Sequence, residues 1–204
     1  LFFFEYRSEE FEKFYNALDR MSEFIIIFGE KGMGKSVFID ESIKKINADN
    51  IYNVYETSFT EQDYLTPCSA FMKVVYKIAP DFILPPGEED SKNKFFREMT
   101  SVLLQSARMK PTLIIIKNIE FIDELSTSFL EYFTGISHKN KITMIIEVQN
   151  KNSPIIKKIN NKPKADIEYI ELKPLPHNAI LDIVSHHLKD YVLTDEFKNN
   201  IANF

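Results

Sequence analysis

The chain has 204 residues, 44% of them hydrophobic, and 25 basic against 30 acidic side chains give a net charge of −5. That apolar share is ample for a large core and excludes global disorder, and the acidic balance argues against broad contact between this segment and a nucleic-acid backbone. A single cysteine, Cys68, excludes an internal disulfide and suits a reducing compartment.

No apolar run approaches the roughly 18 residues needed to cross a bilayer. Leu1-Phe2-Phe3-Phe4 is too short for a signal sequence and has no basic flank. The chain begins without methionine, so the expectation is a cytoplasmic piece of a longer parent chain, with neighbouring domains outside it.

Phe2 to Tyr6 is a short apolar stretch, and Ser8 is placed to cap a helix whose apolar face is Phe11, Phe14, Tyr15 and Leu18, ending near Arg20. Phe24 to Phe28 follows as an unbroken apolar run, the mark of a strand buried on both faces. A glycine-rich turn then leads to a helix with apolar residues at 39, 43 and 46. Ile51 to Thr57 reads as a second strand and Pro67 to Ala79 as a helix opened by proline. Asp81 to Asp90 is loop-like, and Lys94 to Met109 is an amphipathic helix.

Thr112 to Ile116 and Ile142 to Val148 are two more continuous apolar strands. Between them Asp123 to Gly135 forms a helix with glycine just past its end. Asn150 to Lys164 is polar and basic with two prolines, a loop or broken helix. Tyr169 to Leu172 is the last strand, and Pro174 and Pro176 lead out of the sheet. His177 to Lys189 is a helix, and Asp195 to Phe204 starts another. Alternating strands and helices imply an α/β fold, a parallel sheet with helices on both faces. The division expected is a three-layer core over 1–173 and the beginning of a helical lid over 174–204.

The glycine-rich turn carries the chemistry. Gly29-Glu30-Lys31-Gly32-Met33-Gly34-Lys35-Ser36 matches G-x-x-x-x-G-K-[ST] at every fixed position, between a strand and a helix as that pattern requires. Glycines let successive N–H groups approach a phosphate without Cβ interference. The helix start at Lys35, Ser36 and Val37 adds unpaired N–H groups and a positive dipole end. Lys35 is expected on the β- and γ-phosphates and the Ser36 hydroxyl on Mg²⁺. A plain glycine turn is the alternative reading.

A phosphate-loop ATPase normally ends its next central strand in an acid that holds the metal. Here that strand ends Ile116-Lys117-Asn118-Ile119-Glu120-Phe121-Ile122-Asp123, a degenerate Walker B. Asn118 can accept a hydrogen bond from a metal-bound water but lacks full charge. Lys117 would repel the metal or stand in for part of its charge against phosphate. Glu120 and Asp123 are the nearest acids able to serve metal or water as catalytic residues; their alternatives are a solvated charge and the N-cap of the next helix. Gln149 or Asn150 falls where such ATPases keep a polar sensor of the γ-phosphate.

Lys110-Pro111, the strand after it, Asp123 and Ser126 together resemble the "K-P-strand-E-D-x-x-W-x-D-x-x-S" stretch of AAA+-related STAND signal-transduction ATPases. The narrower resemblance is to the modules attached to class III adenylyl cyclases, serine/threonine kinases and tetratricopeptide regulators. On that pattern Lys117, Asn118 and Phe121 replace glutamate, aspartate and tryptophan. Tyr6-Arg7-Ser8-Glu9-Glu10-Phe11 is similar to the family's "G-R-E-x-E-L", and Leu172-Lys173-Pro174-Leu175 to its "L-x-P-L". Tyr6 and Arg7 are candidates for the nucleotide base, with cover for the sheet edge as their alternative.

The resemblance implies ATP or ADP with Mg²⁺ as ligand, a conformational switch as the role, and homo- or hetero-oligomers as assemblies. The replaced acid pair and the absence, at Gln149 or Asn150, of the arginine the family often has both point to slow or absent hydrolysis. A divergent origin-recognition-type AAA+ subunit, an active ATPase using Glu120 or Asp123, and a scaffold without nucleotide are the alternatives. His138, His177, His186 and His187 have no Cys or His companions at metal-ligand spacing.

Overall fold

A computed structural model describes residues 2–83, 91–161 and 165–187. The expected helix over 195–204 and most of the loop over 81–90 lie outside the described residues, as does the end of the helix over 177–189.

Five strands form one wholly parallel sheet: β1 (Phe24–Phe28), β2 (Asn53–Ser58), β3 (Thr112–Lys117), β4 (Ile142–Val148) and β5 (Ile167–Glu171), in the order β2-β3-β4-β1-β5. The three continuous apolar runs are the three inner strands. All five residues of β1 are buried, as are the first five of β3 and of β4, because helices cover both faces. The edge strands β2 and β5 are only partly buried.

Strand alternation sorts the side chains into two cores. Ile25, Ile27, Leu113, Ile115 and Ile145 face α2 (Ser8–Asp19) and α3 (Lys35–Ile46) through Phe14, Leu18, Phe38 and Ile39. Ile26, Ile114, Ile116, Met144 and Ile146 face the other way, onto α4 (Ser69–Ile78), α5 (Ser91–Ser106), α6 (Glu124–Phe133) and α7 (Pro154–Asn160). This is the expected three-layer α/β arrangement. On the second face an aromatic cluster sets the spacing between helices: the Phe129 ring lies 5.0 Å from Phe71, 5.4 Å from Phe96 and 5.7 Å from Phe133.

Three local readings are corrected or settled by the structure. The apolar start of the chain winds into a short helix, α1 (Phe2–Glu5), and its junction draws Arg7 into the N-cap position of α2. Ser8 is therefore the first helical residue, and no side chain caps this helix. Of the loop and broken-helix alternatives over 150–164 the second holds: Pro154 opens α7, because proline suits the first turn and Ile155, Ile156 and Ile159 are buried. A 3₁₀ turn over Glu61–Leu65 was not foreseen; it is fixed by a capping box between Thr60 and Asp63.

The final described helix, α8 (His177–His187), packs against α1, and His177 is its first residue. No helix among the described residues is long and apolar enough to cross a membrane.

The aromatic cluster yields a stability prediction. Phe129→Ala removes the ring that three others contact and should lower the unfolding free energy by about 3–5 kcal/mol, read as the urea midpoint at unchanged slope. A loss below about 1 kcal/mol would mean the cluster is not a tightly packed unit.

Candidate functional site

The site lies at the carboxyl end of the sheet, where the loop after β1 meets the ends of β3, β4 and β5. In parallel sheets of this kind that edge is where ligands sit. Gly29 stands at the departure point: a Cβ there would come within 2.5 Å of the Leu172 carbonyl oxygen, and its φ is +155°. Leu172 N in turn donates to Phe28 O at 2.8 Å, so β5 holds the loop against itself and only glycine fits. Gly34, at φ +79° in the left-handed region, is the N-cap of α3, and Phe38 N closes the first helical turn onto its carbonyl at 2.8 Å.

Lys35 is only 6% exposed. Its ammonium donates to the carbonyls of Gly29 at 2.8 Å and Glu30 at 2.9 Å, curling over the loop it belongs to. The Ser36 hydroxyl donates to both carboxylate oxygens of Glu147, at 3.0 and 2.9 Å. Glu147 had no place in the sequence reading, where it passed as an ordinary residue of the fourth strand. One signal was available: it is the single charged residue in the strand Ile142–Val148, whose other members are all buried.

A cleft of about 320 Å³ opens here, and Lys31, Gly32, Gly34, Lys35, Ser36 and Val37 line it from the loop side. Asn118, Glu120, Glu147 and Gln149 close it from the ends of β3 and β4. A neighbouring cleft of about 410 Å³ lies between the loop and the exit from β5, where Gly29, Glu30, Met33, Asn150 and Pro174 meet. Of the sequence-predicted residues, the eight of the phosphate loop, Val37, Asn118, Asn150 and Glu120 thus converge on two adjoining clefts.

Tyr6, Arg7 and Asp123 line neither cleft. Arg7 is 2% exposed; it donates to Glu10 at 3.0 Å, to Lys173 O at 2.6 Å and to Met33 O at 3.4 Å. It therefore ties the start of α2 to the phosphate loop and to the exit from β5. Tyr6 donates its hydroxyl to Asp182 on α8. Asp123 caps α6, accepting from Ser126 N at 2.9 Å and Ser126 Oγ at 2.5 Å, and also accepts from Cys68 N at 3.2 Å. Burial, with the Asp123 charge adding to it and a hydrogen bond from Ser126 opposing, pushes the Cys68 thiol up to about 12. This cysteine is a buried core residue.

Lys117 is turned away from the cleft, which it was expected to influence directly. Its ammonium pairs with Asp40 on α3 at 3.0 Å and with Glu56 on β2 at 2.9 Å. Burial opposes its charge, but the hydrogen bonds and charges of Glu56 and Asp40 outweigh that and raise its pKa. Asn118 leaves the strand at φ +53°, and Glu120 accepts from Gln149 N at 2.6 Å across the cleft mouth.

The donor set can be matched to a ligand. Glycine-rich backbone beside a lysine ammonium at a helix start suits a polyphosphate. A hydroxyl and a carboxylate are hard oxygen donors of the kind Mg²⁺ takes. The described residues hold no group of three or more His, Cys, Asp and Glu side chains arranged for a metal. The Ser36 hydroxyl and the Glu147 carboxylate are the hard oxygen donors at this end of the cleft.

No family model matches the chain, and no curated protein matches it in sequence. Solved structures do match in shape. Cdc6p from Pyrobaculum aerophilum has a TM-score of 0.68 at 12% identity, over 96% of this chain and 54% of that one. The replication initiator DnaA, bound to AMPPCP and single-stranded DNA, has a TM-score of 0.58 at 13% identity, over 94% and 54%. A STAND ATPase with a tetratricopeptide repeat sensor from Pyrococcus horikoshii reaches 0.51 at 15% identity, over 94% and 26%. This chain spans about half the length of the first two and about a quarter of the third.

The capping role of Asp123 is testable. Asp123→Ala leaves Cys68 N and the Ser126 groups unpaired in a buried site and should lower stability by about 1–3 kcal/mol in a thermal or urea melt. Nucleotide affinity of the folded variant should stay within about twofold, that is, within ~0.4 kcal/mol. A selective loss of nucleotide affinity would put Asp123 in the site after all.

The parallel sheet, the loop geometry and these likenesses agree: the chain has the fold of AAA+-type phosphate-loop ATPases.

Proposed function

We propose that this chain is a nucleotide-binding regulatory domain that holds Mg-ATP or Mg-ADP, hydrolyses it slowly or not at all, and passes the nucleotide state to neighbouring domains of a longer chain. The observation that carries this reading is the pairing of a complete phosphate loop with a β3 end that offers the cleft no strand-borne carboxylate. Lys117 is committed to Asp40 and Glu56, and Asn118 is uncharged.

The phosphates would lie along the amides of residues 29–37 and against Lys35. The adjoining cleft, walled by Met33, Leu172 and Pro174 with Asn150 beside them, has the apolar sides a base would need. Adenine is favoured by the family resemblance.

Binding and turnover rest on different groups. Loop amides, the lysine and a metal act on ground state and transition state alike, whereas an acid that activates the attacking water acts mainly on the transition state. A charge-assisted contact contributes ~1.5–3 kcal/mol, and each 1.36 kcal/mol lost at the barrier is about tenfold in rate. Loss of a strand-borne acid beside the attacking water therefore slows hydrolysis much more than it weakens affinity. The switch would act through Arg7, which joins the loop at Met33 to Lys173 and the start of α2, with Tyr6 beside it bonded to α8.

A second reading, an active ATPase, is favoured by one observation, that Glu120 faces the same cleft as Ser36. A phosphate-release assay separates the two. The regulatory reading predicts turnover below ~1 s⁻¹, the bottom of the ordinary enzymatic range, and Lys35→Ala should abolish ATP binding. Turnover of ~1–100 s⁻¹ that Lys35→Ala and Glu120→Gln both eliminate would overturn it in favour of an active ATPase.

A further inference from the structure

We infer that the metal-holding acid of this domain is Glu147, supplied by β4 in place of the missing acid at the end of β3. The inference rests on the nucleotide-binding reading above and adds a residue to it.

Strand register puts the carboxylate there. Glu147 pairs with Ile27 of β1, whose side chain lies on the face packed by α2 and α3. Between β3 and β4 the last pair is Ile116 with Ile146, so Lys117 and Glu147 follow as the next positions on those neighbouring strands. By alternation both belong to the face toward α3. The end of β3, where an acid would be usual, holds a lysine, and the adjacent strand holds the acid.

Three contacts then separate their roles. Lys117 turns outward to Asp40 and Glu56, both within 3.0 Å, and so does not neutralise its neighbour. None of the ion pairs among the described residues includes Glu147. Instead both its oxygens receive the hydroxyl of Ser36, the loop residue expected to touch the metal.

A half-buried carboxylate without a cationic partner, one hydroxyl away from a polyphosphate cradle, is suited to a divalent cation. Glu147 lines the same cleft as Gly32, Gly34 and Lys35. Glu120, the other acid in that cleft, is exposed and already accepts from Gln149 N.

The competing role for Glu147 is purely mechanical, a tie between α3 and β4. A neutral amide would serve that tie equally well, since it too accepts from a hydroxyl. Charge is therefore the property to remove.

The experiment is a fluorescence titration of labelled ADP, with and without magnesium chloride, on the wild type and on Glu147→Gln. In the wild type, magnesium should tighten binding by about ten- to a hundredfold, the range of one charge-assisted contact. In Glu147→Gln that gain should fall below about threefold. Affinity without magnesium should rise in the variant, because a negative charge beside the phosphates is gone.

A magnesium gain in Glu147→Gln equal to that of the wild type overturns the inference while leaving nucleotide binding intact. Absence of binding by the wild type under both conditions overturns both. Glu147→Asp guards against misfolding of the amide variant: its carboxylate should keep a measurable part of the gain, and a gain no larger than that of Glu147→Gln counts against the assignment.

Discussion

The ammonium of Lys35 lies folded over its own loop, held by the carbonyls of Gly29 and Glu30 and almost wholly out of solvent. A buried lysine has to meet acceptors or lose its charge. Here the acceptors are two carbonyls of the same loop, so one short segment holds both the positive charge and the backbone that surrounds it. The loop can take this shape because β5 runs alongside and leaves no room for a side chain at Gly29. The site therefore depends on packing between the loop and the last strand as much as on the loop sequence.

The polar ends of the inner strands form a second layer of organisation. β1 is apolar throughout, and in β3 and β4 the single charged side chain appears where the sheet edge opens. On β3 that residue is Lys117, which is drawn outward by carboxylates on α3 and β2. On β4 it is Glu147, which meets the phosphate loop. Opposite charges on neighbouring strands leave by different routes, which keeps the lysine from cancelling the acid. Arg7 adds a tie of another kind. Its buried guanidinium links the beginning of α2, the loop at Met33 and the exit from β5.

Much of this was readable in the residues because burial on both faces leaves a plain mark. The runs at 24–28, 112–116 and 142–148 could only be inner strands, and the glycine pattern between the first of them and a helix specified the site. The cap of α6 by Asp123 was visible as one of two readings, and the structure gives it four acceptor contacts. Glu147 was not legible, since its partner lies 111 residues away and a charged residue near a strand end ordinarily meets water. The helix over 154–160 was one of two readings its polar composition left open, and proline followed by isoleucines at 155, 156 and 159 was the signal in its favour. Lys117 was read against the metal because its two carboxylate partners, on a helix and an edge strand, are far from it in the chain.

The proposed role stands or falls with the grip of the loop of residues 29–36 on a polyphosphate. Isothermal titration calorimetry of the folded chain with ATP and with ADP, magnesium present, measures that directly. Saturable one-to-one binding with a Kd on the order of 1–100 µM is the predicted result. A folded protein that gives no binding heat with either nucleotide at millimolar concentration would contradict it.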